Sequence, residues 1–145
     1  MDPELLMMRQ ERTIASQCIQ VVRKNPDAIL PHRGSNLHVY YRIYAPKSFT
    51  IPSRGHATID TGLMINVSGG NFLTVYADKS MADRGLLMST HTRCCDCQHP
   101  IELMYFNMTG KTQTIPKGSC IARFNIVSCV VANVMEMECE DDFIN

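Results

Sequence analysis

The densest run of reactive side chains is Thr92-Arg93-Cys94-Cys95-Asp96-Cys97-Gln98-His99, with His91 just before it. Thiols and imidazoles this close suit two chemistries. One is a soft-metal site: on a strand, His91, Cys95, Cys97 and His99 share a face while Cys94 lies on the other. One strand face cannot wrap a tetrahedral ion unaided, and the spacing is neither Cys-x₂-Cys nor followed by a second cysteine pair. The other is a thiol nucleophile, but no residue that would orient a Cys–His pair is recognisable. The cluster is therefore read as buried or interface thiols, since a free cysteine commonly behaves as a small apolar residue. The zinc reading of His91, Cys95, Cys97 and His99 stays open as the alternative.

The elements that must carry these residues fit one domain. The chain has 145 residues, enough to bury a core without metals or disulfides. Its formal net charge is zero, which exerts no bulk pull on nucleic acid or an anionic membrane. Seven cysteines, clustered and odd in number, make a poor disulfide framework. With no signal peptide visible, they point to a reducing compartment, cytoplasm or nucleus. No apolar run approaches the roughly 20 residues needed to span a bilayer.

Asp2-Pro3-Glu4 opens a short amphipathic helix that ends near Ser16. The rest reads as β. Cys18–Arg23 is a strand stopped by Asn25-Pro26-Asp27. Leu37, Val39, Tyr41 and Ile43 alternate, and Ala57, Ile59, Thr61, Leu63, Ile65 and Val67 do so without a break. Ser68-Gly69-Gly70-Asn71 is a hairpin turn leading to strand Phe72–Ala77. Ile101–Phe106, Thr112–Ile115 and Cys120–Val131 are further strands. Many short strands with regular turns imply a sandwich or barrel. The division is a helical extension over 1–16, a β domain over 17–133 and a mobile acidic tail over 134–145.

Over about residues 18–131 the chain resembles the trimeric dUTPase family. Pro31-His32-Arg33-Gly34-Ser35, Tyr41 and Tyr44, Thr50-Ile51-Pro52, Thr61-Gly62 in a strand, Tyr105-Phe106-Asn107 and Lys117-Gly118-Ser119-Cys120-Ile121-Ala122 fall in family order at family spacing. Pro46-Lys47-Ser48-Phe49-Thr50-Ile51-Pro52 and Arg84-Gly85-Leu86-Leu87 look closer still to the non-catalytic dUTPase-like proteins of adenovirus early region four. The resemblance implies an all-β subunit, a distorted jelly roll of the β-clip type with a short N-terminal helix, assembled as a homotrimer and of viral origin.

The family splits dUTP into dUMP and pyrophosphate, with Mg²⁺ on the phosphates, a carboxylate to activate water, donors on the phosphates and a closing tail. Here those positions differ. Arg42 stands where the family has a metal-side Asp, and a cation there repels Mg²⁺. Asp78-Lys79-Ser80 stands near the family's Arg-Ser-Gly; sliding by one residue leaves Lys79 and Ser80 as phosphate-binding candidates. Cys94 stands at the water-activating Asp and Cys97 at the Tyr under the sugar, leaving Asp96 as the candidate catalytic residue. Ser119-Cys120 replaces Asp-Arg, and Arg123 stands at a Gln that contacts phosphate. The chain ends on acidic Glu136–Asp142 without the family's Gly-rich motif.

From these departures the expectation is a catalytically inactive viral early protein, no enzyme in the family's sense, acting as a homotrimeric module on host proteins in the host cytoplasm or nucleus. It needs no cofactor and binds neither nucleic acid nor membrane. The terminal methionines Met7, Met8, Met135 and Met137 suit either partner binding or packing on neighbouring subunits. The alternative is a divergent active dUTP diphosphatase or related nucleotide hydrolase, with Mg²⁺ as its cofactor and Asp96, Lys79, Ser80 and Arg123 as its residues. A capsid-like jelly roll is a third reading, separated from the others by assembly size.

Overall fold

A computed structural model describes residues 2–9, 19–35, 38–67, 70–89, 99–130 and 132–144, and the backbone of 92–93. Helix α1 occupies residues 3–9, opened by the Asp2 carboxylate accepting from the Glu4 N–H at 3.0 Å. The expected end near Ser16 lies outside the described residues.

The strands among the described residues are β1 (Gln20–Arg23), β2 (Tyr41–Tyr44), β3 (Phe49–Ile51), β4 (His56–Asp60), β5 (Leu63–Asn66), β6 (Asn71–Ala77), β7 (Leu86–Met88), β8 (Thr92–Arg93), β9 (Glu102–Asn107), β10 (Gln113–Ile115) and β11 (Cys120–Ser128). A five-residue helix α2 (Lys79–Asp83) sits between β6 and β7. Among the described residues antiparallel pairing gives four sheets, β1-β5, β3-β10, β2-β11-β6-β8 and β4-β9-β7. This is the all-β architecture expected, down to the short N-terminal helix. Among the described residues no helix is long and apolar enough to cross a membrane.

The core follows from alternation. Leu103, Tyr105 and Asn107 of β9 face inward while Glu102 and Phe106 face out. Leu103 and Tyr105 meet Ile59, Leu63, Ile65, Leu73, Val75, Phe124 and the other buried apolar residues in one cluster. Strand β11 shifts register between Cys120 and Ala122 where it pairs with β2. That bulge lets Ile121 and Ala122 both go inside.

Three local expectations are corrected. The run from Ala57 to Val67 is two strands, because Gly62 turns at φ +67° and Thr61 leaves the ladder. The Thr61 hydroxyl donates to the Ile101 carbonyl at 2.7 Å, and the Asp60 carboxylate accepts from the Gly62 N–H at 2.8 Å. A side chain at 62 would also meet the Ala28 Cβ at 3.0 Å. Thr61-Gly62 is thus a switch between sheets, β4 pairing with β9 and β5 with β1. Second, β5 and β6 are not a paired hairpin; β6 belongs to the sheet of β11. Third, β2 begins at Tyr41, so Val39 lies in the loop before it. The C-terminal residues 132–144 carry no strand, only a 3₁₀ turn at Glu140–Asp142.

Candidate functional site

Three side chains form a row across the main sheet. In register, Arg42 of β2 stands opposite Arg123 of β11, and Arg123 stands opposite Tyr76 of β6. Like charges placed directly opposite on neighbouring strands repel, so such a pair is kept at a cost to the sheet. The row opens into a cleft of about 410 Å³ lined by His38, Val39, Tyr40, Arg42 and Arg123.

The loop before β2 brings the other wall. The His38 N–H donates to the Ser35 carbonyl at 3.1 Å, and the Arg42 N–H donates to the His32 carbonyl at 2.9 Å. Gly34 permits this approach: a Cβ there would lie 2.8 Å from His38 Nδ1 and 3.5 Å from Arg42 Nη2. The Tyr40 ring sits 5.3 Å from the Arg123 guanidinium carbon and meets Tyr76 edge-on at 5.8 Å.

Among the described residues Arg123 has one acidic neighbour, Asp78, at 3.8 Å from Nε. Its Nε is buried and makes no hydrogen bond among the described groups. Arg42 has no carboxylate in salt-bridge reach among the described residues. Asp78 has several partners. It caps α2 by accepting from the Ser80 N–H at 3.1 Å, takes the Ser80 hydroxyl as well, and accepts the Cys120 thiol at 3.5 Å. Burial pushes its carboxyl up, but the Ser80 bonds, the Cys120 thiol and the Arg123 charge outweigh that and hold it below its ordinary value. Cys120 answers in the opposite sense: burial and the Asp78 charge push its thiol up to about 11. It is a proton donor at neutral pH, not a nucleophile.

The residues singled out from sequence divide accordingly. Arg123 lies in the cleft. Ser80 does not offer free donors, because its hydroxyl and N–H are both taken by Asp78; Lys79 is exposed and pairs with Asp83 at 3.9 Å. Asp96, His91, Cys95 and Cys97 lie outside the described residues. His99 is exposed. Among the described residues no group of three or more His, Cys, Asp or Glu side chains could hold a metal ion. The cleft itself does not fit a divalent cation, because two guanidiniums line it and its nearest carboxylate is already shared. The sequence marks Arg42 only as a cation that repels Mg²⁺, and does not point to His38, Tyr40 or Tyr76. A guanidinium at a strand position expected to carry an acid was the available signal.

With this geometry in view, the similarities to known proteins are specific. A family model described as dUTPase matches residues 26–144. A Debaryomyces hansenii protein named deoxyuridine 5'-triphosphate nucleotidohydrolase is 28% identical over 141 residues, covering 97% of this chain and 88% of the relative. A protein of the same name from Oryza sativa subsp. japonica is 26% identical over 121 residues, 83% of this chain and 71% of the relative. Among solved structures, a dUTPase of Staphylococcus bacteriophage 80alpha with dUpNHpp superposes with a TM-score of 0.80 at 14% identity, covering 86% of this chain and 99% of that one. The dUTPase of phage phi11 of S. aureus gives 0.79 at 14%, covering 87% and 99%.

The fold is that of these dUTPases. The expectation of a non-catalytic module acting on host factors is overturned by the relatives, which carry the name of a hydrolase over most of both chains. The altered motifs change the donors around the site without removing the scaffold. The finer likeness to adenovirus early region four proteins finds no support in these yeast and plant relatives.

Proposed function

Because the chain belongs to the dUTPase family over residues 26–144, we propose that it is a dUTP nucleotidohydrolase. The observation that carries this reading is the match to the Debaryomyces hansenii enzyme across 97% of this chain. Water adds to phosphorus, the α–β phosphoanhydride bond breaks, and dUMP and pyrophosphate leave. Arg123 and Arg42 orient the phosphates from the cleft floor. Asp96 is the carboxylate proposed to take the proton from the attacking water, and Tyr40 bounds the cleft on the side of the loop. Lys79 is exposed and, among the described residues, held only by Asp83 at 3.9 Å, so it is a positive charge at the surface rather than part of the cleft.

We further propose a homotrimer. Its support is the family and the apolar residues left exposed at both ends of the chain: Leu5, Leu6, Met7 and Met8 on α1, and Val134, Met135, Phe143 and Ile144 at the C-terminus. Further copies of the chain are the occupants that would cover them. Light scattering then reads three times the 16.4 kDa of the chain; a monomer refutes the assembly.

The activity is tested by incubating the full chain with dUTP and MgCl₂ and separating the products by ion-exchange chromatography. The expected products are dUMP and pyrophosphate in equal amounts, with Asp96→Asn slowing their release roughly 10²-fold or more, as for loss of a general base. A rate equal to the buffer blank sinks the reading.

A further inference from the structure

We propose that the cleft between the loop at His38–Tyr40 and the Arg42–Arg123 pair binds a polyphosphate directly through guanidinium groups, without a divalent cation. The inference deepens the nucleotidohydrolase reading and rests on it for the identity of the anion; the site itself rests on geometry.

Four observations converge. Arg42 and Arg123 are register partners on adjacent strands and line the same cleft. An anion between two such cations converts a repulsion into two attractions. Arg123 Nε turns inward to Asp78 at 3.8 Å without a hydrogen bond, so the guanidinium is loosely held while its side chain stays partly exposed to the cleft. Tyr40 lies against the Arg123 guanidinium, which restrains the fork and leaves its edge for a ligand. Asp78 does not compete strongly, since Ser80 and Cys120 already occupy its oxygens.

The same residues disfavour a metal. A divalent cation prefers oxygen ligands and would sit against two positive charges. A metal bound to a polyphosphate would also neutralise the charge the arginines recognise. Guanidinium groups therefore supply the countercharge that Mg²⁺ provides where an acidic residue replaces Arg42.

The experiment is isothermal titration of the full-length protein with inorganic tripolyphosphate, in EDTA and in MgCl₂. Binding in EDTA at least as tight as in MgCl₂ is expected, weakening as salt rises. Arg42→Ala and Arg123→Ala each weaken it by roughly tenfold or more, the size of one hydrogen bond to a charged group. Arg42→Lys, which keeps the charge and loses the fork, binds more weakly than the parent and more tightly than Arg42→Ala, and thermal melts of every variant verify folding. Binding only when Mg²⁺ is present overturns the proposal, as does parental affinity in folded Arg42→Ala. Failure of the two readings is distinguishable. Tripolyphosphate binding in EDTA without dUMP formation from dUTP keeps the site and removes the enzyme. Cleavage of dUTP with Mg²⁺ and no binding in EDTA does the reverse.

Discussion

The Tyr105 hydroxyl, fully buried on β9, donates to the backbone carbonyl of Ile121 on β11 and so ties two sheets together through the core. The same carbonyl accepts from the Asp78 N–H at 3.4 Å, at the start of α2. Burial, then the charges of Asp78 and Cys120, raise the Tyr105 hydroxyl well above its ordinary value, so it stays protonated as a donor. Tyr105→Phe keeps the packing and leaves Ile121 one weaker partner. The expected loss is about 1 kcal/mol, in line with one net hydrogen bond. Thermal unfolding then drops by roughly 3 °C for a domain of this size. An unchanged midpoint contradicts the assignment.

Asp78 makes stability pH-dependent. Its folded carboxyl sits below the ordinary 3.8, so its contribution is present above that value and is lost as pH falls through the lower folded value. Asp78→Asn is expected to be less stable than the parent in urea at about pH 7, with the gap closing by about pH 2. A constant gap across that range argues against a stabilising carboxylate.

Cys120 and Cys139 should separate by reactivity. Cys120 is half-buried with its thiol pushed up to about 11, whereas Cys139 is exposed. At mildly alkaline pH, iodoacetamide followed by peptide mass spectrometry labels Cys139 and spares Cys120. Asp78→Asn removes the negative charge and the acceptor, and Cys120 labelling rises. Equal labelling of both thiols in the parent counts against the Asp78–Cys120 contact.

Gly85 joins α2 to β7 at φ +77°, and a Cβ there would lie 2.6 Å from Thr109 Cγ2. Gly85→Ala combines left-handed backbone strain with that collision, an expected loss of roughly 2 kcal/mol. The paired change Gly85→Ala with Thr109→Ser removes the methyl and returns part of the loss. No recovery in the double variant shows that backbone strain alone sets the cost.

Much of this architecture is legible in the residues. Strands at Ile101–Phe106, Thr112–Ile115 and from Cys120 onward were expected within a few residues of β9, β10 and β11, because alternation there coincides with clear turns. The break at Thr61-Gly62 was not visible. The hydrophobic alternation runs through it, and what ends β4 is a bond from Thr61 to Ile101, far along the chain. Arg123 stands out in the sequence as a phosphate-binding candidate, but its partnership with Arg42 depends on strand register, which neither residue announces. Lys79 and Ser80 carried a signal that was overlooked. An Asp immediately before them is a helix-capping residue, and the cap occupies the Ser80 donors. The thiol cluster at residues 94–97 remains a matter of sequence, outside the described residues.

The pairing of β2 with β11 has a consequence during protein synthesis. Tyr41–Tyr44 emerges from the ribosome long before Cys120–Ser128, yet β11 is the strand that lies between β2 and β6 in their sheet. Until it arrives, both earlier strands present open edges, and the two halves of the arginine row belong to separate, unassembled pieces of chain. The anion site thus comes into existence only with the last strand, and a nascent chain stalled before Cys120 would be both unable to bind phosphate and prone to aggregate.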